Sequence, residues 1–200
     1  MALQVEDSMP EPTRSLPCMR SLANLYLRFN QCVIVLLRPF LLKQVAHILS
    51  KEDWTIAQSD LEELNKTCFR SARSSVRILV NIQSYGLLAR LGQMENIHLF
   101  TSLIILRLAM SINTRRPGSF DQSPDDANTY EAGKEVLNYM MRAGSLAAKG
   151  HLRMLEDIED LGNGMAGNDE VGLNHDEQWD IDEWITRLLA SEDMPSSFDI

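Results

Sequence analysis

Apolar residues along the chain recur at gaps of three and four, the period of an α-helix, and strand-like alternation persists nowhere. The first such stretch runs from residue 18 to 38. Leu22, Leu25, Tyr26, Phe29, Val33, Leu36 and Leu37 mark one face, and Ala23, Leu27, Ile34 and Val35 add apolar surface around the rest of the cylinder. This spacing predicts a helix buried on most sides. Pro39 has no N–H and disfavours helical geometry at Arg38, so the helix is expected to end or kink there, with a short second helix over 41–49.

Further elements follow from start and stop signals. Ser59-Asp60-Leu61-Glu62 is a capping-box pattern that opens a long helix running to about Tyr85. Leu61, Leu64, Cys68, Ala72, Val76 and Leu79 line its apolar face, and Arg70, Arg73, Arg77 and Asn81 line the opposite one, a basic stripe read as a solvated face, with phosphate contact or a dock for an acidic tail as its functional readings. Gly86 or Gly92 is placed to end it. Asn96–Ile112 reads as a strongly apolar helix closed by Pro117-Gly118. Ser123 as N-cap, with Pro124 at the first helical position, starts a last helical stretch. It is broken near Gly144 or Gly150 and reaches about Leu161. The fold class is all-α: an antiparallel array of about five to seven helices spanning 18–161, after a Pro-rich N-terminus expected to be disordered over 1–17.

Charge divides the chain. Residues 1–120 carry a net +5 and residues 121–200 a net −14. The segment 162–200 therefore reads as an acidic tail, entered through a glycine-rich linker at 162–168. Within it, Ile181, Trp184, Ile185 and Leu188 fall at i, i+3, i+4 and i+7, with Trp179 just before them and carboxylates around them. Large apolar anchors kept soluble by acids are the composition of segments that fold into grooves on coactivators. The competing reading is that Trp179, Trp184 and Leu188 dock on the chain's own helical body.

Other chemistry is sparse. Cys18, Cys32 and Cys68 read as buried free thiols of a reducing compartment. No CxxC pair, no His pair at i+3 or i+4, no phosphate loop and no nucleophile elbow is present, so neither an enzyme nor a metal site is expected. Arg20, Arg28 and Arg38 interrupt the first apolar stretch and argue against a transmembrane span. The N-terminus lacks a secretory pattern.

The particular residues of 25–42, including Tyr26, Asn30, Gln31, Arg38 and Pro39, resemble the "LhLxYNQxxILLxRPxL" segment of the regulatory (middle homology) domain of fungal zinc-cluster transcription factors. Three more blocks resemble that domain in the right order. Cys68-Phe69-Arg70-Ser71-Ala72-Arg73 is similar to its "CxxAAR" helix, and Phe100–Leu106 to its "FxxAxxxL" helix. Leu137–Lys149 with Leu152 and Leu155, including Gly144, is similar to its closing block. The resemblance covers roughly 20–161 and implies a nuclear protein of transcriptional control, with a coactivator or other regulatory protein as partner. The family's zinc-binding DNA-recognition module needs six cysteines, so zinc and DNA contact are implied only through a module absent from these residues, as is the front half of the regulatory domain. The effector is unknown. The alternative expectation is a stand-alone helical ligand-binding or scaffold protein.

Overall fold

The computed structural model describes the backbone of residues 16–50, 58–115 and 117–164, and side chains over most of these spans. These residues form five helices and no strand: α1 (Leu16–Ser50), α2 (Gln58–Ser84), α3 (Gln93–Arg115), α4 (Asp126–Arg142) and α5 (Leu146–Gly164). The class is all-α. Leu16 and Pro17 of the expected disordered N-terminus open α1, and 162–164 of the expected tail close α5. The rest of both segments, with the anchors Trp179, Ile181, Trp184, Ile185 and Leu188, lies outside the described residues.

α2 is the spine, packing against α1, α3 and α4. Arg38 lies close enough to Cys68 for its charge to act on the thiol, and Asn65 donates to Gln44, so α1 and α2 run antiparallel. α3 returns along α2. α5 runs in the same direction as α3, because His151 meets Asn96 and Glu159 meets Arg107. The core is continuous through all five helices, from Leu27, Ile34 and Leu41 of α1 to Leu152 and Leu155 of α5.

Two turns are built as expected. Gly86 has φ +68°, the Leu87 N–H donates to the Ile82 carbonyl (2.8 Å) and the Gly86 N–H to that of Gln83 (2.8 Å). Gly144 repeats the arrangement with φ +100°, Ser145 bonding Met140 (3.1 Å) and Gly144 bonding Met141 (2.9 Å). Both are Schellman closures, which favour glycine because the left-handed conformation crowds a Cβ. Gly150, by contrast, sits inside α5, as do Gly162 and Gly164 of the expected linker.

Several expectations are corrected. Pro39 does not end α1, which continues to Ser50. The ring sits on the exposed side of the helix, where water can replace the donor that the Val35 carbonyl loses. Ile34 and Arg38 before it, and Leu41, Leu42 and Val45 after it, are buried along one line and hold the two halves in register. The face of α1 richest in apolar residues is not the packed one. Met19, Ala23, Leu27, Asn30, Ile34, Arg38, Leu41 and Val45 face the core, while Leu25, Tyr26, Phe29 and Leu36 are exposed. α4 begins at Asp126 rather than at Pro124. Ser123 and Pro124 form a turn in which the Asp126 N–H bonds the Ser123 carbonyl (3.0 Å), and the Ser123 hydroxyl accepts from Asp125 (3.4 Å). Glu62 pairs with Lys66 one turn on (2.8 Å), and the Ser59 side chain lies outside the described residues.

Gly133 shows how closely α4 sits on α2 and α3. A Cβ there would stand 2.6 Å from Leu103 Cδ2 and 3.0 Å from Val76 Cγ1, both on fully buried side chains. Alanine in a helix interior is worth up to about 1 kcal/mol over glycine. Overpacking a filled core costs about 1–3 kcal/mol. Gly133→Ala is therefore expected to lower the urea midpoint, and an unchanged or raised midpoint would show that the α3–α4 contact is loose.

Candidate functional site: the outer face of α1 and the polar contacts that fix the bundle

α1 presents two long faces. Its inner face carries Asn30 and Arg38 of the family-like segment, with Leu27, Ile34 and Leu41. Asn30 and Arg38 are buried, Gln31 is half-buried, Tyr26 lies at the edge of the exposed side and Pro39 is exposed. Asn30 Nδ2 and Gln31 Oε1 are buried with no hydrogen-bond partner among the described residues, as are Asn96 Nδ2 and His98 Nδ1 on α3. Across the α1–α2 contact, Cys68 and Ala72 are fully buried. Burial pushes the Cys68 thiol up to about 12, with the Arg38 charge pulling the other way, so this cysteine is a packed thiol rather than a nucleophile. The structure thus brings Arg38 near Cys68, with Ala72 one turn further along α2 in the core. Gly144 stands apart as the α4–α5 turn.

The outer face is apolar and uncovered by any described residue. Cys18, Leu22, Leu25, Phe29, Cys32, Leu36 and Phe40 follow one another at gaps of four and three, with Tyr26 and Val33 beside them. Exposure reaches 66% at Leu25, 59% at Phe29 and 70% at Leu36. Cys18 and Cys32 are exposed, correcting the expectation that they are buried. They also stand roughly 20 Å apart along α1, from its rise per residue. With Cys68 buried on α2, the cysteines do not converge and cannot build a zinc cluster. Scattered exposed apolar side chains are ordinary, but a contiguous stripe this long marks a contact surface. By length and composition alone, Cys18–Val45 and Gln93–Thr114 are each apolar enough to cross a membrane. The second is mostly enclosed by the bundle, at 72% buried, whereas the first is 33% buried because of this stripe.

The arginines of α2 do not form a free basic stripe. Arg73 is almost buried, its side chain 11% exposed. Its Nε and one terminal nitrogen donate to the two carboxylate oxygens of Asp126 (2.6 and 2.8 Å). The remaining donors reach the Asp121 carboxylate (3.1 Å) and carbonyl (2.8 Å). Asp126 also accepts the Ser123 N–H (2.8 Å). Arg77 is exposed and stands 3.7 Å from Asp125, and Arg70 is exposed. The solvated face holds for Arg70, Arg77 and Asn81 and fails at Arg73, because α2 is covered on three sides and its polar edge there meets the α3–α4 connection. Between Val76, Val80, Asn128 and Ala132 there remains an open groove of about 370 Å³.

Two more polar clusters fix α5. Tyr130 Oη and Lys134 Nζ both donate to Glu159 Oε1 at 2.7 Å. Burial alone would raise the Glu159 carboxyl, but the Lys134 and Tyr130 hydrogen bonds outweigh it and hold the group below its ordinary value. The His151 ring stacks on Phe100 with centroids 4.0 Å apart, and its Nδ1 lies 3.0 Å from Asn96 Oδ1. Neither cluster was visible in the sequence, since each joins residues more than 20 positions apart.

Comparison of the chain with protein-family profiles, with curated proteins and with solved structures finds no match.

Arg73→Ala is expected to destabilise the fold by about 3–5 kcal/mol, the cost of stranding a buried carboxylate. Arg73→Lys should recover only part of this, because an ammonium cannot form the paired fork. Urea denaturation of the three proteins tests both, and full recovery by lysine would show that charge alone is needed. Burial lowers the pKa of His98 and His151 below 6.5, so the folded state favours their neutral forms. That contribution is present above pH 6.5 and is lost as pH falls through the lower folded values. The urea midpoint should therefore drop between pH 7 and 5. The drop should be smaller in His151→Phe, which keeps the stack on Phe100 but cannot be protonated.

Proposed function

We propose that this chain is part of a transcriptional regulator, resembling the C-terminal portion of the regulatory domain of fungal zinc-cluster factors, and that it acts in the nucleus through protein partners. The observation that carries the reading is the order of four sequence blocks, at Leu25–Leu42, Cys68–Arg73, Phe100–Leu106 and Leu137–Leu155. Each lies on helices of one continuous core or on the turn that joins two of them. On this reading DNA contact belongs to a separate module. On α2, Arg73 and Arg77 are engaged by carboxylates, which leaves that helix no wide positive surface. The acidic segment with Trp179, Ile181, Trp184, Ile185 and Leu188 supplies the contact to a coactivator, its aromatic and aliphatic anchors filling an apolar groove while its carboxylates set the approach.

Residues 162–200 fused to a heterologous DNA-binding domain should activate a reporter. Trp184→Ala combined with Leu188→Ala should reduce that activation severalfold, as loss of two anchors worth about 1–2 kcal/mol each implies. Silence of the unaltered fusion would remove the activation role.

A further inference from the structure

We propose that the outer stripe of α1 is the docking surface for the chain's own acidic C-terminal segment, residues 179–188, bound in cis. The stripe from Cys18 to Phe40 presents Leu25, Phe29, Cys32, Leu36 and Phe40 to solvent at gaps of three and four, with Leu22 half-buried beside them. That period suits a second helix whose apolar residues recur in the same way, because the ridges of one fill the grooves of the other. Ile181, Trp184, Ile185 and Leu188 recur in that way.

Charge selects this occupant. α1 carries Arg20, Arg28, Arg38 and Lys43 and not one Asp or Glu in its 35 residues. Arg20 pairs with Glu95 of α3 (3.6 Å) and Arg38 is buried on the inner face, so Arg28, next to Phe29, is the cation that borders the stripe. Residues 165–200 carry ten Asp and Glu against the single Arg187. A second copy of α1 would bring no carboxylate to Arg28, whereas the C-terminal segment brings several.

The path is short enough. α5 runs with α3 toward the end of the bundle that also holds the C-terminal half of α1, as the contacts of Glu159 with Arg107 and of Phe120 with Phe69 require. From Gly164 to Trp179 the intervening residues span up to roughly 50 Å. The stripe itself is roughly 33 Å long at the rise of an α-helix. A tethered segment also meets its site at an effective concentration near millimolar, so modest contact suffices to keep it bound. The docking rests on the amphipathic pattern of 179–188 and not on any role in transcription.

The test uses the whole chain with Cys18→Ser and a bimane label on Cys32, the remaining exposed thiol among the described residues. Bimane is quenched by tryptophan at contact range. Docking predicts that Trp179→Phe with Trp184→Phe raises the emission by about twofold, since a millimolar effective concentration keeps most molecules closed. Arg28→Glu should give a smaller rise with the tryptophans in place, and the quenching should not depend on protein concentration. Emission unchanged by the tryptophan substitutions would overturn the proposal. So would quenching that grows with protein concentration, which assigns the stripe to a second copy. A blue shift on adding phosphatidylserine vesicles, with no tryptophan dependence, would overturn it in favour of a lipid surface. A reporter fusion that stays silent while the quenching holds would remove the activation role and leave the docking intact.

Discussion

The fork between Arg73 and Asp126 is the contact around which the bundle is arranged. It joins the middle of α2 to the first residue of α4, and through Asp121 and Ser123 it fixes the connection that follows α3. A guanidinium this enclosed needs its donors satisfied, and the geometry that satisfies them admits one placement of α4. Once α4 is placed, Gly133 lies against Val76 and Leu103, and no side chain would fit there without displacing them. The ion pair sets register and the glycine sets distance. Apolar burial along α2 and α3 supplies the bulk of the driving force but does not choose among rotations of α4.

What the sequence made legible follows from how local each signal is. The Schellman turns at Gly86 and Gly144 depend on a few consecutive residues, and they lie where the glycines predict. Helical period was plain in every segment, so the all-α class and the approximate bounds of α2, α3 and α4 could be read directly. Faces were less legible. α1 is apolar nearly all round, so its densest stripe gives no indication of which side meets α2. The side that packs includes Asn30 and Arg38, two polar residues that a pattern of hydrophobicity assigns to solvent. Arg73 was misplaced for the converse reason. An arginine opposite an apolar face reads as solvated unless the partner carboxylate, 53 positions away, is known to return to it.

The same distinction bears on the family-like residues. Cys68 and Ala72 are packing residues, Gly144 is a turn residue, and Asn30 and Arg38 are buried at helix contacts. The one thiol among them is buried and pushed up to about 12, a packed group rather than a nucleophile. Such a motif specifies how helices meet and says little about what the protein touches. Interaction must be sought where packing makes no demand, on surfaces whose chemistry the fold alone does not explain.

The outer stripe of α1 is such a surface. Solvent-facing positions in helices favour polar residues, because exposed apolar area invites association. Here Leu25, Phe29, Leu36 and Phe40 occupy those positions over more than 20 Å of helix at its usual rise. No packing within the described bundle uses them. Serine, glutamine or lysine at the same positions would leave the inner contacts of Leu27, Ile34 and Leu41 unchanged. Leucine and phenylalanine there are accounted for by an occupant, and an α1 with no carboxylate favours an acidic one. The chain's own carboxylate-rich segment has the matching spacing and the reach, so the argument for a contact surface and the argument for its occupant come from different residues and agree.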